Sequence, residues 1–237
     1  PPPPFQAEDG IRDMPTGLVG SEMCIRDRSQ ADKAGSPRPD VRRRTERTSQ
    51  MKTAKDKHVV VSADFAGFPL KEAVKQHLVD NGWTVEDLTP VQDETPMYHR
   101  AGFLLGAKIS EREYEKGLAF CGTGMGIHIA AGKCPHVHAA VCESVSSAKR
   151  AATGNNCNVL AMGALFTAPH LGMAMADAFL ENGFGAGYED WEGFDEFHVV
   201  GYEETENFDY EAYKANGFKL DEEPEPYLAP WPKDLPF

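Results

Sequence analysis

The residues with the clearest chemical potential form one short segment, Phe120-Cys-Gly-Thr-Gly-Met-Gly-Ile127. A cysteine follows an apolar run, and glycines that allow a sharp turn stand at every second position behind it. The run from His128 onward is compatible with a helix, whose first N–H groups and dipole favour an anion or a thiolate. The segment predicts an anion-stabilising loop with Cys121 as nucleophile or base. A tight turn around a buried structural cysteine is the alternative.

Two familiar glycine-rich loops do not fit this spacing. The dinucleotide fingerprint requires a third glycine where this chain has Ile127, and the phosphate loop of nucleotide hydrolases requires Gly-Lys-Ser/Thr, which is absent. The segment therefore predicts no nucleotide cofactor.

Strand and helix patterns alternate around this loop. Such alternation predicts a five-stranded parallel sheet covered by helices on both faces, a Rossmann-like (flavodoxin-like) three-layer sandwich. In this fold ligands bind at the carboxyl ends of the strands, where Asp64 and Cys121 fall. The predicted strands are 58–63, 83–88, 117–120, 138–142 and 159–162, and the predicted helices are 69–81, 98–110, 144–153 and 169–182, with a further helix after the glycine loop.

The sequence divides into three parts. Residues 1–50 contain segments that resemble translated sequencing-adapter DNA, and we expect a non-native or disordered leader there, with Met51 as the natural start. Residues 51–185 carry the predicted α/β domain. Residues 186–237 are acidic and rich in aromatic residues, and we expect an irregular C-terminal arm packed on the domain or on a partner subunit.

Charge and cysteine content exclude several classes of protein. The chain has 24 basic and 37 acidic side chains; the first fifty residues hold 9 and 8 of these, which leaves residues 51–237 at a net −14. So acidic a domain is not expected to bind nucleic acid. The sequence contains no apolar run long enough for a membrane span. Its five cysteines have no metal-ligand spacing, which favours reduced thiols in a cytoplasmic protein.

Three motifs together resemble the ribose-5-phosphate isomerase B and galactose-6-phosphate isomerase family over about residues 57–188. They are Ala63-Asp-Phe-Ala-Gly67, the loop Cys121-Gly-Thr-Gly-Met-Gly-Ile127 with Ala130-Ala-Gly-Lys133, and Asn155-Asn-Cys-Asn-Val-Leu-Ala-Met-Gly163. The resemblance implies interconversion of aldoses and ketoses through a cis-enediolate, without a cofactor or metal.

The resemblance also implies roles for individual residues. The base in this family is the cysteine that opens the loop or, in a second branch, a glutamate just after it; the later position is Ile127 here, which implies Cys121. Backbone N–H groups of the loop would stabilise the enediolate oxygen. The implied catalytic or substrate-binding residues are Asp64, Thr123, Gly122, Gly124, Met125, Gly126, Asn155, Tyr98 and Lys133. Asp64 and Thr123 have an alternative structural role as helix caps.

Several family features are altered in this chain. Phe65 replaces the histidine of the first motif, and Gly154 replaces the ring-opening histidine. Phosphate-binding arginines of the family correspond to His138 and to the acidic segment 189–196, which would repel a phosphate. His99 and His128 are candidates for the missing acid.

Three hypotheses remain open. The first is a sugar-phosphate isomerase acting on a pentose, tetrose or hexose phosphate, with its phosphate site rebuilt from Arg100, Lys133, Lys149 or Arg150. The second is an isomerase of an unphosphorylated or open-chain sugar, which needs no ring-opening acid. The third is a non-catalytic carbohydrate-binding subunit. Because the family builds its site between two subunits, the resemblance implies a homodimer or a dimer of dimers.

Overall fold

Five parallel strands form the centre of the fold. The computed structural model describes residues 51–191 and 193–220. Its strands are β1 (His58–Ala63), β2 (Thr84–Asp87), β3 (Gly117–Cys121), β4 (Ala139–Val141) and β5 (Val159–Gly163). They pair in the order β2-β1-β3-β5-β4, with every neighbouring pair parallel. The predicted Rossmann-like parallel sheet is confirmed.

Helices cover both faces of the sheet. They are α1 (Phe68–Asp80), α2 (Tyr98–Ser110), α3 (Met125–Ala131), α4 (Val145–Thr153) and α5 (Pro169–Leu180). Side chains alternate between the faces of a strand. Val59 and Val61 accordingly pack in the core with α1, α4 and α5, while Val60 and Cys121 pack with α2 and α3.

Observed strand ends differ from the predicted ones by one or two residues. The second strand begins at Thr84 because the N–H of Trp83 donates to the carbonyl of Leu78 (2.9 Å) and so belongs to the turn that ends α1. β4 is only three residues long and pairs on one side alone, at the edge of the sheet.

The segment after α5 contains short helices where the sequence analysis expects an irregular arm. A π-helix spans Asp195–Val199 and is followed by α6 (Val200–Glu206) and α7 (Tyr210–Ala215). The Asp209 carboxylate caps α7 by accepting from two backbone N–H groups. The predicted leader at 1–50 and residues 221–237 of the predicted arm lie outside the described residues. Within the described ranges, no helix is long and apolar enough to cross a membrane.

Candidate active site

Cys121 is the last residue of β3 and is buried, with 3% of its surface exposed. The N–H of Gly124 donates to its Sγ at 3.1 Å. Gly124 itself precedes α3 and has φ +77°, a left-handed conformation that favours glycine. The backbone therefore turns back on the sulfur just before the helix begins, as the sequence pattern predicts.

Thr123 and the end of β5 complete this loop. The Oγ1 of Thr123 accepts from the N–H of Met125 (3.3 Å), which is the first residue of α3. A Cβ on Gly163 would lie 2.5 Å from the carbonyl carbon of Thr123, so the loop packs directly on the carboxyl end of β5. A larger residue at position 163 would push the loop away from this end of the sheet.

Asp64 lies beside Cys121 at the neighbouring strand end. Its N–H donates to the carbonyl of Phe120 (3.1 Å), and its Oδ1 accepts from the N–H of Gly67 (2.8 Å). A Cβ on Gly67 would lie only 2.3 Å from the carbonyl carbon of Phe120, so this turn rests on β3. The carboxylate thus shapes the turn before α1, beside the strand that ends in Cys121, but the helix itself, whose N-cap residue is Gly67, has no side-chain cap.

The start of α2 brings Tyr98 to the same place. A Cβ on Gly126 would lie 2.6 Å from two atoms of the Tyr98 ring, which shows that the ring packs against α3. His99 meets Tyr98 edge to face, with centroids 5.3 Å apart. Arg100 is exposed in the same helical turn. The carboxyl edge of the sheet therefore brings Asp64 and Tyr98 to the loop of Cys121, while the structure gives the exposed Arg100 side chain no contact with this loop.

Other predicted site residues lie toward the opposite edge of the sheet. Asn155 precedes β5, whereas Cys121 pairs with Gly163, the last residue of that strand. Lys133 follows the end of α3, and the Arg150 guanidinium stacks on the Tyr188 ring at 4.8 Å. One chain alone therefore does not bring Asn155, Lys133 or Arg150 to the sulfur of Cys121.

The other described cysteines are poor candidates for a thiolate. Burial raises the pKa of Cys134 and Cys142, and burial together with the neighbouring Cys142 raises the pKa of Cys157 to about 11. In residues 51–191 and 193–220, no three His, Cys, Asp or Glu side chains are grouped as ligands of a metal ion would be.

Large apolar side chains surround the cysteine loop, and the sequence analysis named only Phe65 among them, as a departure from the family motif. Phe65, Leu165 and Phe166 are 61%, 71% and 56% exposed, directly after β1 and β5. Leu165 Cδ1 would lie 3.5 Å from a Cβ on Gly122. Exposed apolar groups clustered at a site indicate a surface that a partner covers.

A cleft of about 390 Å³ opens at the amino edge of the sheet, beside the turn between α4 and β5. Asn155 and His138 line it together with His198 and Tyr202 from the C-terminal segment. His198 packs on Gly154, because a Cβ built on Gly154 would lie 3.3 Å from Cε1 of His198. Burial and the charge of Arg150 lower the pKa of His198, against the effect of a backbone hydrogen bond at Gly154. These C-terminal groups lack a periodic sequence signal and were missed.

Comparisons with known proteins agree with this geometry. The 4-deoxy-4-sulfo-D-erythrose isomerase of Clostridium sp. strain MSTE9 is 38% identical, covering 56% of this chain and 84% of the relative. The D-erythrulose-4-phosphate isomerase of Pectobacterium atrosepticum is 33% identical, covering 54% and 86%. The structure of Clostridium thermocellum ribose-5-phosphate isomerase B matches with a TM-score of 0.57 and 26% identity, covering 67% of this chain and 99% of that one.

A sequence model of the family described as ribose/galactose isomerase matches residues 59–192, more than half of the chain. The matched range contains Asp64, the Cys121 loop, Asn155 and Gly163, which are the motifs on which the resemblance rests. The chain therefore belongs to the ribose/galactose isomerase family of sugar isomerases, which includes ribose-5-phosphate isomerase B.

Proposed function

We propose that this protein interconverts an aldose and a ketose, with Cys121 moving a proton between C2 and C1 of the substrate. The observation that carries the proposal is the Gly124 N–H, 3.1 Å from the sulfur. The turn thereby fixes a backbone donor against the sulfur, whose thiolate form is the one that can remove a proton. The thiol then returns the proton to the adjacent carbon, so the cysteine is regenerated.

The loop also supplies the charge stabilisation that an enediolate needs. The first turn of α3, which begins four residues after Cys121, leaves N–H groups without carbonyl partners inside the helix. Donors placed toward a developing oxyanion are each worth about 3 kcal/mol of barrier. Thr123 and Asp64 are placed to bind hydroxyls of the sugar at this end of the sheet.

The proposed substrate is an open-chain, four-carbon sugar with an anionic group at C4. Position 154 is glycine, so the chain lacks an acid at the position of the family's ring-opening histidine. The two relatives named above act on a 4-sulfo sugar and on a 4-phosphate. A tetrose substituted in this way has no free O4 hydroxyl with which to close a five-membered ring. Ribose 5-phosphate, which does cyclise, is the second candidate.

The complete site is proposed to form between two copies of the chain. Asn155 precedes β5, whereas Cys121 pairs with Gly163 at the far end of that strand, and apolar side chains around Cys121 are exposed. A second copy whose amino-edge cleft covers the cysteine loop would bury this apolar rim and add Asn155 beside the enediolate. A homodimer is the simplest assembly that does so.

Isotope exchange tests the proposal. The full chain is incubated in D₂O with erythrulose 4-phosphate, a 4-sulfo tetrose, ribose 5-phosphate and free sugars, and NMR follows deuterium entry and aldose–ketose conversion. We expect both with a four-carbon sugar, and a loss of about 10²–10⁴-fold in Cys121→Ala.

Cys134→Ala is the matched control, because this thiol lies outside the loop and its pKa is raised by burial. It should retain wild-type exchange. Exchange that persists in Cys121→Ala would assign the base to another residue. Folded protein that exchanges no sugar would contradict the isomerase assignment and favour a carbohydrate-binding subunit.

A further inference from the structure

Two histidines at the amino edge of the sheet share one carboxylate. His138 Nε2 lies 2.6 Å from Glu206 Oε2, and His136 Nδ1 pairs with the other oxygen of the same group. The hydrogen bonds from both imidazoles hold the pKa of Glu206 below its ordinary value, although burial acts in the opposite direction. Glu206 therefore occupies a position at which two imidazoles converge on an anion.

The backbone fixes the two imidazoles side by side. The Asn158 side chain donates to the carbonyl of His136 (2.8 Å) and accepts from the N–H of His138 (2.9 Å). His136 has φ +62°, a left-handed conformation that residues other than glycine rarely adopt, and these contacts hold it. This pair is thus arranged before any ligand arrives.

Charged groups of both signs border a second cavity beside the pair. Arg112 and Lys116 line it together with His136 and Glu206, and Arg112 lies close enough to influence Tyr202. Glu115 also lines this cavity, and its Oε2 accepts from the N–H of Ala54 (2.9 Å). The acidic residues Glu203 and Glu204 on the same helix are exposed and face away from the cavity wall. If Glu206 moved out, an external anion would meet Arg112 and two imidazoles.

The helix that carries Glu206 is weakly held. α6 has seven residues and none of them is buried; Tyr202 and Glu206 are half-buried, and the other five are exposed. Its contacts include the two pairs of Glu206 and the packing of the Tyr202 ring against His138 and Phe184, with centroids 5.1 and 5.7 Å away. A segment with so little buried surface opens at low cost. A ligand that competes for the two imidazoles can therefore displace the carboxylate and release α6.

We propose that His136 and His138 form a binding subsite for a tetrahedral oxyanion, phosphate or sulfonate, and that Glu206 keeps the subsite closed until the anion arrives. The His138 side of the subsite borders the cleft that contains Asn155. That the anion is the C4 group of the substrate rests on the proposed function. The subsite itself requires only the contacts of these residues.

Calorimetric titration with inorganic phosphate and with methanesulfonate at pH 6 tests the subsite. Glu206→Gln should bind phosphate about tenfold more tightly than wild type, a typical size for the coupling between two sites. The matched control Glu203→Gln, on the same helix, should bind like wild type. Adding His138→Asn to Glu206→Gln should abolish the gain.

The proposal fails if Glu206→Gln binds neither anion more tightly than Glu203→Gln, or if the gain survives His138→Asn. Tighter binding of only one anion would identify the phosphate or the sulfonate as the ligand.

Wild-type protein gives a second test that needs no variant. Saturating anion should increase hydrogen exchange in residues 200–206, and unchanged exchange would contradict the displacement of Glu206 by the anion. Cys121→Ala should bind phosphate like wild type, so failure of isomerisation and failure of this subsite are distinguishable.

Discussion

At the scale of single residues, the glycines of the cysteine loop answer different physical demands. Gly124 needs its left-handed φ of +77°, and a Cβ there would lie 2.9 Å from Val141 Cγ2 and 3.0 Å from the Gly163 nitrogen. Gly126 makes room for the Tyr98 ring. Gly122 has only ordinary contacts at 3.5 Å or more. Position 124 is therefore the most constrained of the three.

Substitution of Gly124 by alanine should damage both stability and activity. The left-handed conformation costs alanine about 1–2 kcal/mol, and the contact with the Gly163 backbone adds about 1–3 kcal/mol of overpacking. Relaxation of this strain moves the Gly124 N–H away from the Cys121 sulfur, so kcat/KM should fall about 100-fold, in the range for a lost oxyanion-hole donor. Urea unfolding and steady-state kinetics measure the two effects.

Gly183→Ala is the matched control, because nothing lies within 4 Å of a Cβ at that position. It should change neither stability nor kcat/KM. Equal behaviour of the two variants would show that the geometry of the loop around Gly124 is not required.

At the scale of elements, the sequence predicts the sheet and its helices well because apolar periodicity decides them. The prediction of a helix at 98–110 matches α2, and β1 matches the predicted strand at 58–63. The C-terminal helices escape prediction because they are short. They depend on a cap at Asp209 and on aromatic contacts such as Tyr188 with His198 (5.6 Å) rather than on an apolar stripe.

A buried ion pair joins α1 to β2 near the candidate site. Lys71 is fully buried, and its Nζ lies 2.8 Å from Asp87 Oδ2, while Asp87 is 10% exposed. The same ammonium donates to the Thr89 carbonyl, and Thr89 Oγ1 accepts from the N–H of Ala63. This chain of contacts fixes the end of β1 from which Asp64 projects.

Lys71→Met should therefore destabilise the protein by about 3–5 kcal/mol, because it leaves the Asp87 carboxylate buried without its main partner. Hydrogen bonds from Lys71 and Lys75 hold the pKa of Asp87 below its usual value, against the effect of burial. This contribution to stability is present above the ordinary aspartate pKa and is lost as pH falls through the lowered one. Urea unfolding at pH 7 and pH 3 should show the deficit of the variant shrinking at the lower pH.

The control for this substitution is Lys75→Met, whose side chain is 23% exposed and bonds to the same Asp87. A loss of about 1 kcal/mol is expected there, because water can still reach the partner. If Lys75→Met lost as much unfolding free energy as Lys71→Met, the number of positive charges near Asp87, and not their burial, would decide the contribution of this ion pair.

At the scale of the whole molecule, the proposed dimer would join two halves of the site, which lie apart in one chain. The carboxyl edge holds Cys121 under an exposed apolar rim, and the amino edge holds Asn155 in a cleft. The sequence identifies both motifs. Cys121 ends β3 and Asn155 precedes β5, so the two residues fall at opposite edges of a parallel sheet. The sequence of one chain does not predict whether two copies bring them together, because such a contact would depend on the shapes of two folded surfaces.

Subunit complementation tests whether two copies reunite these halves. Cys121→Ala and Asn155→Ala should each be nearly inactive alone. In a mixed dimer one site carries both substitutions, and the other has an intact Cys121 facing an intact Asn155.

Equal mixing, by co-expression with two different affinity tags, should therefore restore about a quarter of wild-type activity in the unfractionated sample. The doubly tagged fraction should reach about half, because each mixed dimer contains one intact site. If both residues served one site within a single chain, every site in the mixture would lack one of them and no activity would return. Asn155 is exposed in the single chain, so its replacement leaves the fold of each protomer intact and the restored activity reports on assembly alone.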